Sequence, residues 1–221
     1  MGEPHTDTPI LGPEYADAFL LAAEVHAHQL RKGSAVPYLA HLMAVSALVL
    51  DFGGDEDCAI AALLHDTVED CDDGWAMERR IRERFGDRVA DIVMTCSDAI
   101  AVPGEPKAPW YARKQQYIDD LETASEDALL VSACDKLHNA RSVLGDLRTH
   151  GNAIWQRFST KSGPDQIWYY ATLADLFSRR TPGPLADELQ RVVGELILLE
   201  RASRPGAPRA VQGATGVKPA R

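Results

Sequence analysis

A run of six apolar residues, 59–64, leads directly into His65 and Asp66. The run predicts a short helix that is buried on all sides, because no polar face interrupts it. Adjacent side chains of a helix do not share a face, so His65 and Asp66 reach a common point only if the helix ends there. An imidazole nitrogen and a carboxylate oxygen suit a divalent first-row metal ion. The sequence therefore predicts a metal-binding helix end, with the acids Glu69 and Asp70 one turn further on.

Two other segments offer further ligands for such a metal. His41 opens a second apolar helix that continues over 42–50, and Asp135 lies inside an otherwise apolar helix. A buried carboxylate without a partner is costly, and binding a metal ion offsets that cost. The candidate metal ligands are therefore His41, His65, Asp66 and Asp135.

The order of these four residues is the H…HD…D signature of HD phosphohydrolases, and the chain resembles one group of them closely. Residues 21–41 are similar to the opening of the hydrolase domain of RelA/SpoT-type alarmone enzymes, where an H-x-x-Q-x-R-K … P-Y-x-x-H pattern recurs. The segments AALLHDTVED and DKLHNAR are similar to two further signature blocks of that family. The resemblance covers about residues 14–150, and aromatic residues beyond it resemble the stand-alone bacterial small alarmone hydrolases.

This resemblance implies an enzyme, a metal-dependent 3′-pyrophosphohydrolase of guanosine tetra- and pentaphosphate, (p)ppGpp. The reaction releases pyrophosphate and GDP or GTP. Mixed nitrogen and oxygen ligands favour Mn²⁺, Fe²⁺ or Zn²⁺, and the resemblance implies Mn²⁺. Glu69 and Asp70 are the implied catalytic acids, which orient or deprotonate the attacking water or return a proton to the leaving ribose oxygen. The sequence does not decide which of them is the base.

The resemblance also implies contacts to the nucleoside. Arg31 and Lys32 match positions that hold the guanine base and the phosphates, since a guanidinium plane can stack on a purine and also bond phosphate. Asn139 matches a ribose and phosphate contact. Ser142 stands one helical turn further on, at the nucleoside-contact position.

Four further basic residues are candidates for binding the phosphates. Arg113 and Lys114 follow a loop rich in proline, 98–109, and match an Arg-Lys pair that could grip the pyrophosphate. Lys136 and Arg141 either position phosphate or form ion pairs with acids, and both readings stay open. The segment Cys96-Ser97-Asp98 departs from the family pattern next to the predicted pocket, which leaves the base preference undecided.

Several neighbouring residues are predicted to be structural. His26 is assigned to packing, and His138 is placed on the far side of its helix from Asp135 and Asn139. Four aromatic residues at helical spacing are assigned to the core: Trp155, Phe158, Trp168 and Tyr169.

Two alternative functions remain open. The same site could act on (p)ppApp or on the 2′-phosphate of NADPH, because base discrimination rests on pocket hydrogen bonds that a sequence does not give. A non-catalytic alarmone-binding module would lack at least one of the metal ligands or catalytic acids, and all six residues are present in this chain.

Composition limits the partners. The chain has 221 residues and a net charge of −10, which argues against binding nucleic acid and leaves a small-molecule nucleotide as the partner. Cysteines without CxxC spacing, the lack of a signal-peptide core and the lack of a membrane-spanning stretch indicate a reduced, cytoplasmic protein without membrane contact. The length predicts a hydrolase without the synthetase domain of its larger relatives.

The predicted fold is a single all-α HD-type domain over 14–201, between a flexible leader, 1–13, and a disordered tail, 202–221. Monomer and homodimer both remain open, because the apolar segment 185–199 could be a dimer face or core. Helices are predicted at about 14–29, 39–52, 56–65, 75–85, 88–97, 110–122, 126–149, 165–179 and 185–201.

Overall fold

The computed structural model describes residues 11–203, and this part of the chain is almost entirely helical. Its β-structure is limited to one isolated bridge between Leu30 and Pro37. The predicted all-α fold is therefore confirmed. The helices are α1 (Pro13–Val25), α2 (Leu39–Asp51), α3 (Glu56–Leu64), α4 (Thr67–Asp70), α5 (Gly74–Phe85), α6 (Asp87–Cys96), α7 (Trp110–Leu121), α8 (Glu126–His150), a 3₁₀ helix (Gly151–Arg157), α9 (Gly163–Arg180) and α10 (Pro184–Ala202).

The first helix is shorter than predicted. It ends at Val25 rather than near residue 29, because residues 26–38 form a loop that is closed by its own backbone hydrogen bonds. The amide of Arg31 donates to the carbonyl of Val36 at 2.9 Å, and the amide of Tyr38 donates to the carbonyl of Gln29 at 2.9 Å. This loop, rather than a helix, presents Arg31 and its neighbour Lys32.

The predicted leader, 1–13, and tail, 202–221, lie for the most part outside the described residues. The division of the chain at residues 13 and 201 stays a prediction. The four-residue α4 and the 3₁₀ helix were not predicted, because each is too short to show a periodic pattern.

The apolar run forms α3, and its burial fixes the centre of the fold. Asp55 caps this helix by accepting a hydrogen bond from the amide of Cys58 at 3.1 Å. Every residue from Cys58 to Leu64 is at most 2% exposed, because α1, α2, α6 and α8 surround the helix. The helix ends at Leu64 as predicted, and His65 and Asp66 occupy the turn into α4.

The 25-residue α8 is shared by two apolar clusters. Val131 and Cys134 pack with α1–α6, whereas Leu137 and Leu144 pack with α7, α9 and α10. Asp135 therefore lies at the level where the two clusters meet, and only 5% of its surface is exposed.

The apolar helix α10 is core on the face that contacts α8 and α9. Ala186, Leu189, Val193 and Leu196 are at most 2% exposed. This face is therefore used inside the domain and does not supply a dimer surface. Neither α10 nor any other helix within residues 11–203 is long and apolar enough to cross a membrane.

The four cysteines are free thiols, as predicted. Burial raises the pKa of the Cys58 thiol to about 12 and also raises the pKa values of Cys96 and Cys134. These three thiols remain protonated at neutral pH and act as small apolar side chains.

Gly74 allows three backbone segments to approach one another beside the turn of His65 and Asp66. Its amide donates to the carbonyl of Ala101 at 2.7 Å, and the amide of Ala101 donates to the carbonyl of Val68 at 2.9 Å. A Cβ atom at Gly74 would lie 2.4 Å from the oxygen of Val68 and 2.8 Å from the nitrogen of Ala101. No flexible side chain can relieve these contacts, since both are backbone atoms.

We expect Gly74→Ala to lower the free energy of unfolding by about 1–3 kcal/mol, because overpacking forces the backbone apart. Gly145→Ala is the matched control, since Gly145 lies inside the C-terminal half of α8 with open space around its Cα. That substitution should raise the free energy of unfolding by about 0.5–1 kcal/mol, the helix-propensity gain of alanine. Urea unfolding measures both; equal changes in the two variants would contradict the close packing at Gly74.

Candidate active site

The four predicted metal ligands converge on one point. His41 comes from the first turn of α2, His65 and Asp66 from the turn after α3, and Asp135 from the middle of α8. Ligand atoms of His41, His65 and Asp66 lie within 4.8 Å of one another. The Oδ1 atom of Asp135 is 3.2 Å from Nε2 of His41 and 3.7 Å from Nε2 of His65.

The hydrogen bonds of the two histidines leave their Nε2 atoms free to bind a metal. Nδ1 of His65 donates to the carbonyl of Ala62 at 2.8 Å, which places the lone pair on Nε2. The Nε2 atoms of His41 and His65 are both buried without a hydrogen-bond partner. Buried polar atoms are normally satisfied, so two such atoms facing two carboxylates fit a divalent metal ion.

His138 faces this centre, and its prediction as a residue on the far side of α8 was wrong. It follows Asp135 by three residues, and side chains at that spacing share a face of a helix. Its Nδ1 atom lies 2.8 Å from Nδ1 of His41, and burial lowers the pKa of His138 to about 4. A neutral imidazole there can fix the tautomer and orientation of His41.

Lys136 forms an ion pair within the centre. Its Nζ atom is 2.6 Å from Oδ2 of Asp135 and lies 4.7 Å from the centre of the Tyr117 ring. Burial opposes ionisation of Asp135, but the charge of Lys136 and the nearby His41 and His65 keep the pKa of this carboxyl well below its usual range. The structure thus favours the ion-pair reading of Lys136, and its contact with phosphate stays a prediction.

Glu69 is held beside the centre by the loop after α6. Its Oε1 accepts a hydrogen bond from the amide of Asp98 at 2.7 Å, and its Oε2 lies 3.4 Å from Nζ of Lys107. Burial, together with the negative charges of Asp98 and Asp66, raises the pKa of Glu69 to about 7. A carboxyl group with this pKa can exchange a proton at neutral pH.

Asp70 is held differently, by the loop that follows α1. Its Oδ2 accepts from Nε2 of Gln29 at 2.8 Å, and Oε1 of Gln29 accepts from Nδ1 of His26 at 2.5 Å. The ring of His26 stacks on Tyr38 at a centroid distance of 5.1 Å, in line with its predicted role in packing. The hydroxyl of Tyr38 donates to Oδ2 of Asp66 at 2.6 Å, which the sequence did not predict.

A cavity of about 870 Å³ opens from the centre, and eight of the chain's 23 basic residues line it. Six acids also line it, so the cavity carries excess positive charge in a protein of net charge −10. Such a local excess attracts anionic ligands. Every predicted site residue except His65 lines this cavity: Arg31, Lys32, His41, Asp66, Glu69, Asp70, Arg113, Lys114, Asp135, Lys136, Asn139, Arg141 and Ser142.

Several of the predicted substrate contacts are held by one another or by acids. A terminal nitrogen of Arg31 donates to Oδ1 of Asn139 at 2.9 Å. Arg113 and Lys114 both form ion pairs with Asp98, which shares them between its two carboxylate oxygens. Arg141 pairs with Glu188 at 2.9 Å, and the two remaining candidates, Lys32 and Ser142, line the cavity.

Two of the four aromatic residues assigned to the core also line the cavity. Trp155 is buried and Trp168 packs on the same apolar cluster, as predicted. Phe158 and Tyr169 pack on that cluster but contribute to the cavity wall as well. Nζ of Lys114 lies 4.7 Å from the centre of the Tyr169 ring. No local sequence signal gives this contact, because α7 and α9 meet only in the folded chain.

The fold and the donor set define an HD domain, and the HD domain family model matches residues 18–164. The chain belongs to this family. Within it the chain is a RelA/SpoT homologue, which confirms the resemblance of its motifs. It is 35% identical over 130 residues to the guanosine-3′,5′-bis(diphosphate) 3′-pyrophosphohydrolase MESH1 of Xenopus tropicalis, covering 58% of this chain and 68% of that protein.

Two further comparisons agree with this placement. A guanosine-3′,5′-bis(diphosphate) 3′-pyrophosphohydrolase of Aquifex aeolicus is 33% identical over 139 residues, which are 59% of this chain and 18% of that enzyme. The solved structure of a metazoan SpoT ortholog, described as hydrolysing ppGpp, superposes with a TM-score of 0.66 at 26% identity and covers 86% of this chain and 98% of that one. The chain spans less than a fifth of the length of the first curated bacterial relatives that it matches.

A divalent metal ion should stabilise the fold, because it binds the assembled donor set and not the unfolded chain. At a concentration 100-fold above its dissociation constant, the gain in unfolding free energy is about 2.7 kcal/mol. Thermal unfolding with and without Mn²⁺ measures this gain. Asp66→Asn should abolish most of it.

The matched control is Asp119→Asn, an exposed acid of α7 that bonds to Gln115. This variant should keep the full metal-dependent shift in Tm. An equal shift in Asp66→Asn and in the unchanged protein would contradict the assignment of the ligands.

Proposed function

We propose that this chain is a Mn²⁺-dependent 3′-pyrophosphohydrolase of (p)ppGpp, which releases pyrophosphate and GDP or GTP. The observation that carries the proposal is the pairing of a buried His/Asp donor set with a cavity rich in basic side chains. The names of the relatives support the same reaction. We propose a small-molecule nucleotide as the partner, in the cytoplasm.

His41, His65, Asp66 and Asp135 would hold the metal ion. When bound, the ion lowers the pKa of water and neutralises charge on the phosphoryl group under attack. The hydrogen bond from Tyr38 orients Asp66 for this role, and the nearby His65 keeps the pKa of Asp66 below its usual range in spite of burial. Mixed nitrogen and oxygen donors are compatible with the Mn²⁺ that the family resemblance implies.

We assign Glu69 as the general base. Its pKa of about 7 lets it accept a proton from the attacking water without being fully protonated beforehand. Asp70, which Gln29 holds in place, is left to orient the water or to return a proton to the leaving ribose oxygen. The two acids thus receive different roles, because Glu69 is bonded to the amide of Asp98, whereas Asp70 is bonded to Gln29.

The basic residues divide between the two ends of the substrate. Arg113 and Lys114 share Asp98, whose amide bonds to Glu69, so we place the pyrophosphate between this pair and the metal ligands. Arg31 bonds to Asn139 on α8, which follows Asp135 by one turn, so we place the ribose and base along α8.

Incubation with guanosine tetraphosphate and Mn²⁺ should give GDP and pyrophosphate, resolved by anion-exchange chromatography, and EDTA should stop the reaction. Asp66→Ala should lower kcat by at least about a thousandfold, because the metal and its water leave the site together. Asp119→Ala is the matched control and should keep full activity. A metal-independent, active Asp66→Ala protein would refute the mechanism.

The rate should fall as the pH drops through about 7, since ionised Glu69 is the active form and its pKa is about 7. Lys107→Met removes the cation 3.4 Å from Oε2 of Glu69, which raises the pKa of this carboxyl. The acid limb of the kcat/KM profile should therefore move to higher pH. Lys161→Met, at an exposed position outside the cavity, should leave it unchanged. If the acid limb does not move in Lys107→Met, it reports the titration of a metal ligand and not that of Glu69.

A further inference from the structure

One face of α8 forms a continuous wall of the cavity from the metal ligands to its far end. Asp135, Asn139, Ser142, Val143 and Asp146 follow the i, i+4, i+7, i+8, i+11 spacing of one helix face, and all of them line the cavity. At 1.5 Å of rise per residue, Asp135 and Asp146 are about 16 Å apart along the helix. A nucleotide whose 3′ phosphates lie at the metal ligands therefore extends along this face toward Asp146.

The far end of the wall combines an acid with apolar groups. Val143 is buried one turn before Asp146, and the ring of Phe158 adds an aromatic surface. The Nη2 atom of Arg157 donates a hydrogen bond to Oδ2 of Asp146 at 2.5 Å. The Cζ atom of the same guanidinium lies 5.3 Å from the centre of the Phe158 ring. Apolar and aromatic walls suit the faces of a purine, whereas a carboxylate repels phosphate.

The position of Asp146 is fixed from two sides. Arg157 ends the 3₁₀ helix, and its side chain lies against Gly33 of the loop that carries Arg31: a Cβ atom on Gly33 would be 3.0 Å from Cδ of Arg157. Asp146 is thus held where the Arg31 loop and α8 face each other. Its carboxylate still has lone pairs for further donors, since an ionised carboxylate can accept about four hydrogen bonds.

We propose that Asp146, positioned by Arg157, selects guanine over adenine by accepting hydrogen bonds from N1–H and the 2-amino group of the base. Adenine presents a lone pair at N1 and has no 2-amino group, so it would face the carboxylate with an acceptor. A site built to bind donors rejects an analogue that lacks them, because its acceptor then faces a lone pair instead of an N–H group. The inference rests on the proposed function for the orientation of the nucleotide, and it answers which base the site prefers.

The test compares the kcat/KM values of guanosine, inosine and adenosine 5′-diphosphate 3′-diphosphates with Mn²⁺. Guanosine should exceed adenosine by about ten- to a hundredfold, the discrimination typical of a bidentate pair, and inosine, which keeps N1–H but lacks the amino group, should lie between them. Equal values for the three substrates in the unchanged protein would overturn the inference without any variant.

Asp146→Asn supplies the sharper test. The amide has only one acceptor, so it cannot accept from both N1–H and the 2-amino group of guanine, whereas its acceptor and donor match the 6-amino group and N1 of adenine; the guanosine-to-adenosine ratio should therefore fall by about ten- to a hundredfold. Asp146→Leu should lose guanosine activity without gaining adenosine activity, and Asp119→Asn should keep the original ratio. An unchanged ratio in Asp146→Asn would overturn the inference, and the ion pair of Arg157 with Asp146 would then only connect the 3₁₀ helix to α8.

The role of Arg157 has its own readout. Arg157→Met should lower the guanosine-to-adenosine ratio, because it releases Asp146, and Arg157→Lys should restore much of it. A phosphate contact of Arg157 would instead change kcat/KM equally for the three substrates, which would overturn its positioning role.

Metal-free binding separates this inference from the proposed reaction. Calorimetry with guanosine and adenosine 3′,5′-bisphosphates should show the same base preference, lost in Asp146→Asn. Guanine-selective binding without any hydrolysis would overturn the proposed function and support the base contact. Hydrolysis without base selectivity would support the proposed function and overturn the base contact of Asp146.

Discussion

The burial of one carboxylate at the middle of a long helix constrains most of this structure. Asp135 lies where the two apolar clusters meet on α8, and its charge must be compensated there. Lys136, His41 and His65 supply that compensation, and each approaches from a different direction. The ends of α2 and α3 are therefore fixed relative to α8 by electrostatics as well as by packing. A metal ion bound by the proposed ligands would add to a compensation that the fold has already arranged.

The helices and the residues of the proposed ligand set could be picked out from the sequence, because each stands in a pattern within one segment. The apolar run that forms α3 and the acid in an apolar helix at Asp135 are patterns within one segment, and both proved correct. The prediction for His138 was wrong although the information was local. His138 lies three residues after Asp135, and this spacing puts both side chains on one face of the helix. The early end of α1 depended on backbone bonds between Gln29 and Tyr38, which periodicity does not reveal.

The substrate-binding side of the site was only partly predictable. Arg113 and Lys114 were found through their motif, but their pairing with Asp98 required α7 to pack beside the loop after α6. Tyr169 and Asp146 gain their places in the cavity wall only when α8, α9 and the 3₁₀ helix have assembled. Such contacts join residues far apart in the chain, and a single sequence holds no local pattern for them.

Asp98 contacts both the cations that are proposed to bind the pyrophosphate and the proposed base, Glu69. Its carboxylate holds Arg113 and Lys114, while its amide holds Glu69, and its negative charge helps to raise the pKa of Glu69. A pyrophosphate between the two cations would compete with Asp98 for them and leave the charge of Asp98 less compensated. The added negative charge disfavours the ionised form of Glu69, which makes that carboxylate a stronger base once it is ionised. In the proposed mechanism, Asp98 would therefore couple substrate binding to proton transfer.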